Sequence, residues 1–438
     1  MKSIQALHIF VGVLLTMLAS ASLVEAQNPP RNSLASQNKS GAHLRLVVIL
    51  SRHGVRPPTW TQERLNAYSA MPWPMWSVPP GYLTPHGSEL LKRFGSFDRE
   101  FYSASGLFPA SGCPATDGTR VWADTDQRTM ESARALAEGL FPGCPPAVHS
   151  LAAGERDPLF HPGSGRSQAE DGPSKKISLE TAPASQNGSQ GDELIAEMQH
   201  VLMGCLPEAD CRPEHSPAIP LLGAPATVDA RDPMGLAASF AEDFLLEYVE
   251  GMPDDQVGWG KVDEHQLIKF LELHSRNSDL AHRTPERARL EASNLLFHIT
   301  RTLEQGVEKR TVEDAVGPVD SKMVLLVGHD TNIEGVAGLL GLHWTLDGRK
   351  DDTPPGTELA FQLWQSERGA YTVRVTVAMQ TLTQMRELHE LTLAAPPANQ
   401  VVTLTGCGTD ADSCRWNDFL RTADAVVDRN SVFTEQPN

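Results

Sequence analysis

The stretch LRLVVILSRHGVRPPTW, residues 44–60, constrains the fold more than any other. Seven mostly apolar residues read as a buried strand. The strand ends on Arg52, His53 and Arg56, and Pro57 and Pro58 stiffen the chain beyond it. A strand that only closes a core is expected to end on Gly, Asn or Asp. This one delivers clustered positive charge and one titratable nucleophile. Two more short apolar runs stop in the same manner. RVWAD (120–124) leads into Asp124 to Arg128, and KMVLLVGHD (322–330) leads into His329, Asp330, Thr331 and Asn332. Ligands of open α/β sheets bind beyond the carboxyl ends of the strands. If these three ends are neighbours in a parallel sheet, three arginines, two histidines and several acids converge.

Composition sets the limits around that site. The chain has 438 residues, 40% hydrophobic and 21% charged, an ordinary globular composition. The length allows two or three domain-sized units, or one large α/β domain with an insertion. A net charge of −18 argues against nucleic acid or an anionic membrane as the main partner. A cationic pocket in so acidic a chain is therefore a local feature with its own purpose.

The N-terminus, MKSIQALHIFVGVLLTMLASASLVEAQ, carries Lys2, an apolar run and small residues before Gln27. Val24 and Ala26 stand where a signal peptidase reads, so residues 1–26 are expected to be a signal peptide cleaved near Ala26. The alternative is an uncleaved anchor. No other segment is apolar enough to span a bilayer, so the mature protein is expected to be periplasmic or secreted, without stable membrane association.

Six cysteines fit that compartment. They formally allow many pairings, and their spacing favours Cys113–Cys144, Cys205–Cys211 and Cys407–Cys414. The first couple would close the longest loop, stabilising by about 3–4 kcal/mol in the entropy model. Neither C-x-x-C nor H-x-x-x-H occurs, so no metal is expected.

Along the chain, residues 27–42 read as a flexible leader, and 43–165 as the first part of an α/β core. Periodicity is lost between 161 and 192, which reads as a linker. Residues 166–300 are expected to form a mainly α-helical insertion, and 301–438 to complete the core. Residues 126–140 read as a helix with Asp126 near its start, and 357–380 as two strands around Arg368 and Gly369. The fold class is α/β, a central sheet with flanking helices plus the inserted helical domain.

The chemistry follows from residue types. Arginine forks match phosphate oxygens in geometry and charge, so three of them make a dianion pocket without metal. A phosphoryl group held there can be attacked in line by a neutral imidazole. The arginines should depress the His53 pKa and keep the ring unprotonated in mild acid. The leaving alkoxide needs a proton. A carboxyl beside bound phosphate would have its pKa raised by like charge, which suits Asp330, while His329 would bind a phosphate oxygen.

RHGVRPP and GHDTN resemble the two signature motifs of the histidine acid phosphatases, the branch of the histidine phosphatase superfamily that includes phytases. GYLTPHG (81–87), ADTDQRT (123–129), DPLF (157–160), EGMPDDQVGWGK (250–261), HRTPERAR (282–289) and DDTPPGTEL (351–359) extend the resemblance over residues 43–420. The resemblance implies a phosphoglycerate-mutase-like core and a helical insertion. It makes His53 the residue that forms phosphohistidine, Arg52, Arg56, Arg128 and His329 the phosphate ligands, and Asp330 the proton donor. It places Thr59, Asp124 and Arg283 around the substrate, supports the three cysteine pairs, and implies a monomer without cofactor. Phytate-preferring relatives often place Lys after the threonine, where this chain has Trp60. The reading is an exported acid phosphatase acting on small phosphomonoesters, phytate included. The alternatives are a sugar-phosphate phosphatase resembling a glucose-1-phosphatase, or an inactive phosphate-ester-binding protein. The second would need a lost nucleophile or proton donor, and His53 and Asp330 are both present.

Overall fold

The computed structural model describes residues 41–113, 118–162, 188–204, 221, 233–407 and 412–433. In chain order these form β1 (His43–Arg52), α1 (Gln62–Asn66), α2 (Pro85–Ala104), β2 (Thr119–Ala123), α3 (Gln127–Leu140), β3 (Val148–His149) and α4 (Gly188–Leu202). There follow α5 (Pro233–Val249), α6 (Glu264–Ala281), α7 (Pro285–Glu308), β4 (Met323–Gly328), α8 (Asp330–Leu340), β5 (Thr345–Leu346) and β6 (Arg349–Lys350). The chain ends in β7 (Glu358–Gln365), β8 (Tyr371–Met379), α9 (Leu382–Arg386), β9 (Ala398–Val402), β10 (Cys414–Arg415) and α10 (Trp416–Val426).

β1 is apolar without a break from Leu46 to Leu50, because both its faces are covered there. Leu46, Val48 and Leu50 point into a core shared with α7 and α8. Leu44, Val47 and Ile49 point the other way, into a core shared with α2 and α3. The eight-stranded sheet runs β10-β8-β7-β1-β4-β2-β3, with β9 paired to β8. The pairs β1–β4, β4–β2 and β2–β3 are parallel, while β7 joins β1, and β8 joins β7, antiparallel. Register pairs Ser51 with Val327 and Ala123 with Val327. The carboxyl ends of β1, β4 and β2 are therefore level and adjacent, the neighbourhood expected from the three polar clusters.

A separate core holds the helical layer, built from α4, α5, α6 and the chain around Trp73. α5 is buried around most of its circumference. Trp73 stacks on its Phe240 and Phe244, with ring centroids 5.6 and 5.2 Å apart. The boundary drawn at residue 300 falls inside α7. Leu295, Leu296, Ile299 and Leu303 of that helix pack in the core of the sheet. The chain thus returns to the sheet layer at Pro285, where a proline in the first turn starts the helix. The expected linker is described only at its ends, and there α4 has already begun at Gly188.

Disulfides join Cys113 to Cys144 and Cys407 to Cys414. The Cys205–Cys211 pair, the signal segment 1–26 and residues 27–40 of the leader lie outside the described residues. Among the described residues no helix is long and apolar enough to cross a membrane.

One buried pair makes the fold pH-dependent. Asp98 of α2 and Glu358 of β7 are each 3% exposed and face one another. Burial pushes the Asp98 carboxyl up to about 8. Burial, then the charge of Asp98, pushes Glu358 well up too. Unfolded carboxyls titrate near 4, so the folded state keeps a proton that the unfolded chain releases. Stability is then full below about pH 4 and falls as pH rises towards about 8. One proton is linked to at most about 1.4 kcal/mol per pH unit. The thermal midpoint should fall across this interval, and Asp98→Asn should flatten the fall. An unchanged slope in the variant would contradict the raised Asp98 carboxyl.

Candidate active site

The loop after β1 is pinned before any side chain acts. Gly54 N–H donates to Ser132 Oγ at 2.9 Å, Thr84 N–H to the Val55 carbonyl at 3.0 Å, and His53 N–H to the Gly328 carbonyl at 2.9 Å. Gly87 of α2 lies against the same loop. A Cβ there would stand 2.6 Å from the Val55 carbonyl oxygen and 2.7 Å from its nitrogen, so only glycine lets the helix approach so closely.

Arg52 is fully buried. Its guanidinium donates to the Thr353 carbonyl and to Glu242 of α5, and pairs with Asp330 Oδ2 at 2.9 Å. Arg56 reaches the same Glu242 oxygen at 3.2 Å. His53 Nδ1 lies 2.8 Å from the Gly54 carbonyl. A carbonyl only accepts, so Nδ1 carries the proton and the Nε2 lone pair is left bare. Burial holds the His53 pKa well below the ordinary imidazole value, and Arg56, Arg52 and Arg128 add to the effect. The ring therefore stays neutral in mild acid.

Arg128 stands in the first turn of α3. It pairs with Asp126 at 2.7 Å, and its Nη2 is 3.4 Å from His329 Nδ1. His329 caps α8, whose first residue is Asp330. Its ring centroid is 5.6 Å from that of His53, and its Nε2 lies 2.6 Å from Asp124 Oδ2. The structure thus brings together Arg52, His53, Arg56, Arg128, His329 and Asp330, with Asp124 buried beneath. Thr59 is exposed on the rim: a Cβ on Gly81 would meet Thr59 Cγ2 at 3.6 Å and Arg128 Nη1 at 3.8 Å.

Asp330 is not raised in the open pocket. Burial would raise its pKa, but Arg52, then His274 and His53, outweigh burial and hold it well below the usual carboxylate range. The sequence argument assumed bound phosphate; without it Asp330 faces a guanidinium. Arg283 is 8% exposed and is held by partners of its own. Its guanidinium binds the Leu342 carbonyl, pairs with Asp279 at 3.2 Å and lies over the Trp344 ring at 5.3 Å, so it ties α6 to the chain after α8.

The sequence reading missed Glu242, His274 and His161. Glu242 is an acid on a helix buried nearly all round, a pattern that signals a charge with a partner. Among the described residues, two sets each hold their donor atoms within 4.8 Å of one another: Asp124, His161 and His329; and Glu242, His274 and Asp330. Arg128 contacts the first set and Arg52 the second, which opposes a cation and suits a hydrogen-bonded network.

A bare imidazole nitrogen among arginines, at the carboxyl end of a half-parallel sheet, defines a phosphoric monoester hydrolase of the histidine phosphatase type. The chain belongs to the histidine phosphatase superfamily (branch 2), whose family model matches residues 43–191 and 230–378. It is 34% identical over 394 residues to the phytase AppA of Escherichia coli (strain K12), covering 86% of this chain and 90% of that protein. It is 30% identical over 424 residues to glucose-1-phosphatase of Salmonella typhimurium, covering 94% of this chain and 95% of that protein. Hafnia alvei phytase in complex with tartrate shares the fold at a TM-score of 0.73 and 33% identity, covering 90% of this chain and 99% of that one.

An oxyanion bound by the forks of Arg52 and Arg56 must displace Glu242. The Glu242→Gln variant keeps the shape and removes the competing charge. Its inhibition constant for inorganic phosphate should fall several-fold at acid pH. An unchanged or weaker constant would show that the carboxylate does not compete.

Proposed function

We propose that this is an exported acid phosphatase that hydrolyses phosphomonoesters, phytate among them, through phosphohistidine at His53 with Asp330 as proton donor. The observation that carries the reading is the His53 Nε2 lone pair, bare inside the ring of Arg52, Arg56 and Arg128.

The steps follow from these groups. The substrate dianion displaces Glu242 and is gripped by the arginine forks, with His329 Nδ1 facing the same space. His53 Nε2 attacks phosphorus in line, and the P–O bond to the leaving group breaks. The transition state is loose, so positioning and charge supply most of the catalysis. Binding itself raises the Asp330 pKa. The dianion engages Arg52, which had held the carboxyl ionised, and sets like charge beside it. Asp330 then gives its proton to the leaving alkoxide. In the second half, water attacks phosphorus, its proton goes to Asp330, and the P–Nε2 bond breaks.

α5 and α6 act as a cap over this pocket, contributing Glu242 and His274. Export is supported by the leader-like sequence at 1–26 and by disulfides Cys113–Cys144 and Cys407–Cys414, which suit an oxidising compartment. The protein acts as a monomer, in the periplasm or outside the cell. A second reading, a sugar-phosphate phosphatase, is favoured by the glucose-1-phosphatase relative and by apolar Trp60. That ring packs on Phe240 with centroids 5.9 Å apart. Comparing kcat/KM for phytate, glucose 1-phosphate and p-nitrophenyl phosphate separates the two.

His53→Ala should abolish turnover in a folded protein, and acid-labile phosphate should be trapped on the wild type during turnover. Asp330→Asn should slow alkyl phosphates far more than aryl phosphates, whose phenolates need less protonation. Appreciable turnover by His53→Ala, or equal losses on both substrate types, would overturn the assignments.

A further inference from the structure

Asp124 has two imidazoles on a single oxygen. Its Oδ2 is 2.6 Å from His329 Nε2 and 2.7 Å from His161 Nε2, and the carboxylate is 1% exposed. His161 lies in the turn after DPLF, outside the two signature motifs. That turn is itself anchored to β2, because Asp157 accepts from Trp122 Nε1 at 2.7 Å and from Leu159 N–H at 2.8 Å. Its backbone is closed by a hydrogen bond from His161 N–H to the Asp157 carbonyl at 2.8 Å.

We propose that His161 is a positioning residue that clamps Asp124 from the outer wall and so fixes the ring of His329 against the phosphoryl group. The inference rests on the phosphohistidine reading above. Asp124 accepts at Oδ2, so His329 commits its Nε2 proton there and turns Nδ1 towards Arg128 and the pocket. To donate from Nδ1 to a phosphoryl oxygen, the His329 ring must hold a second proton, and Asp124 must be ionised as its counter-charge. The charged or titratable groups facing Asp124 are His329 from the end of β4, His161 and Asp157 from the turn, and Arg128 from α3. Burial would raise the Asp124 carboxyl, but the hydrogen bonds from His161 and His329 outweigh it and hold it far below its usual range. Without His161 the oxygen keeps one donor and the burial stays. Asp124 then takes a proton at higher pH, and His329 loses both its counter-charge and its orientation.

The test compares His161→Phe, which keeps ring bulk and removes the donor, with His161→Gln, which returns an N–H donor that does not titrate. For p-nitrophenyl phosphate, His161→Phe should lower kcat roughly tenfold and shift the acid limb of kcat up by about one pH unit. His161→Gln should bring kcat to within about threefold of wild type and return the acid limb. In 15N-histidine NMR, the His329 Nε2–H signal should move in the Phe variant and recover in the Gln variant. Should the Phe variant lose its fold, His161→Leu takes its place. A wild-type acid limb and kcat in a folded donor-less variant, or a loss that Gln does not rescue, overturns the proposal. Failure of the phosphohistidine reading is distinct, because it appears as turnover in His53→Ala whatever His161 does.

Discussion

Arg52 ends the central strand with its guanidinium wholly inside the protein. A charge so placed is tolerable only when paired, and its partners come from distant parts of the chain. Thr353 supplies a carbonyl from the loop before β7, Asp330 a carboxylate from α8, and Glu242 a carboxylate from α5 in the helical layer. The backbone follows the same logic, with Arg52 N–H donating to the Thr357 carbonyl at 2.9 Å. Satisfying this one cation therefore draws the loop, α8 and the cap onto the end of β1. Breaking a buried pair of this kind typically costs about 3–5 kcal/mol, so the arrangement is stiff where the chemistry needs stiffness.

The groups that neutralise the arginines without a ligand are the groups that substrate must move or recharge. Glu242 bridges Arg52 and Arg56 with one oxygen and is held ionised by them, against its burial. Asp330 is held ionised mainly by Arg52. A dianion replaces the first carboxylate and raises the pKa of the second, so exchange of partners prepares the proton donor. In the proposed reaction, the complex would become ready because the arginines change partners. Specificity for a dianion arises in the same exchange, since a neutral ligand repays neither displaced contact.

What was legible in the sequence was local. Each of the three strand ends joins an apolar run to a polar cluster, and a parallel sheet levels such ends, so Arg52, His53, Asp124, Arg128, His329 and Asp330 could be gathered from pattern alone. Glu242 could not, because its partner Arg52 is 190 residues away and nothing in FAEDF names an arginine. His161 was hidden for a similar reason: its function lies in a contact across strands, and a histidine in a turn carries no periodic signal. The boundary within α7 was illegible because an apolar stripe at helical spacing looks alike whether a sheet or another helix covers it. Arg283 rests on resemblance alone, since its carboxylate and carbonyl partners carry no sign of a substrate.

Acid operation emerges from three separate devices that agree. Burial among arginines keeps the His53 nucleophile neutral well into acid, where an ordinary imidazole would be charged and inert. Asp330 needs a proton at the moment of bond cleavage, and an acidic medium supplies it once the dianion has engaged Arg52. The pair Asp98–Glu358 is most stable while both carboxyls are protonated, so the fold also prefers acid. These are linked in space. Glu358 follows Thr357, whose carbonyl holds Arg52, and Gly356 N–H donates to the His53 carbonyl at 3.1 Å. The buried pair thus adjoins the segment whose backbone holds both the first phosphate ligand and the nucleophile.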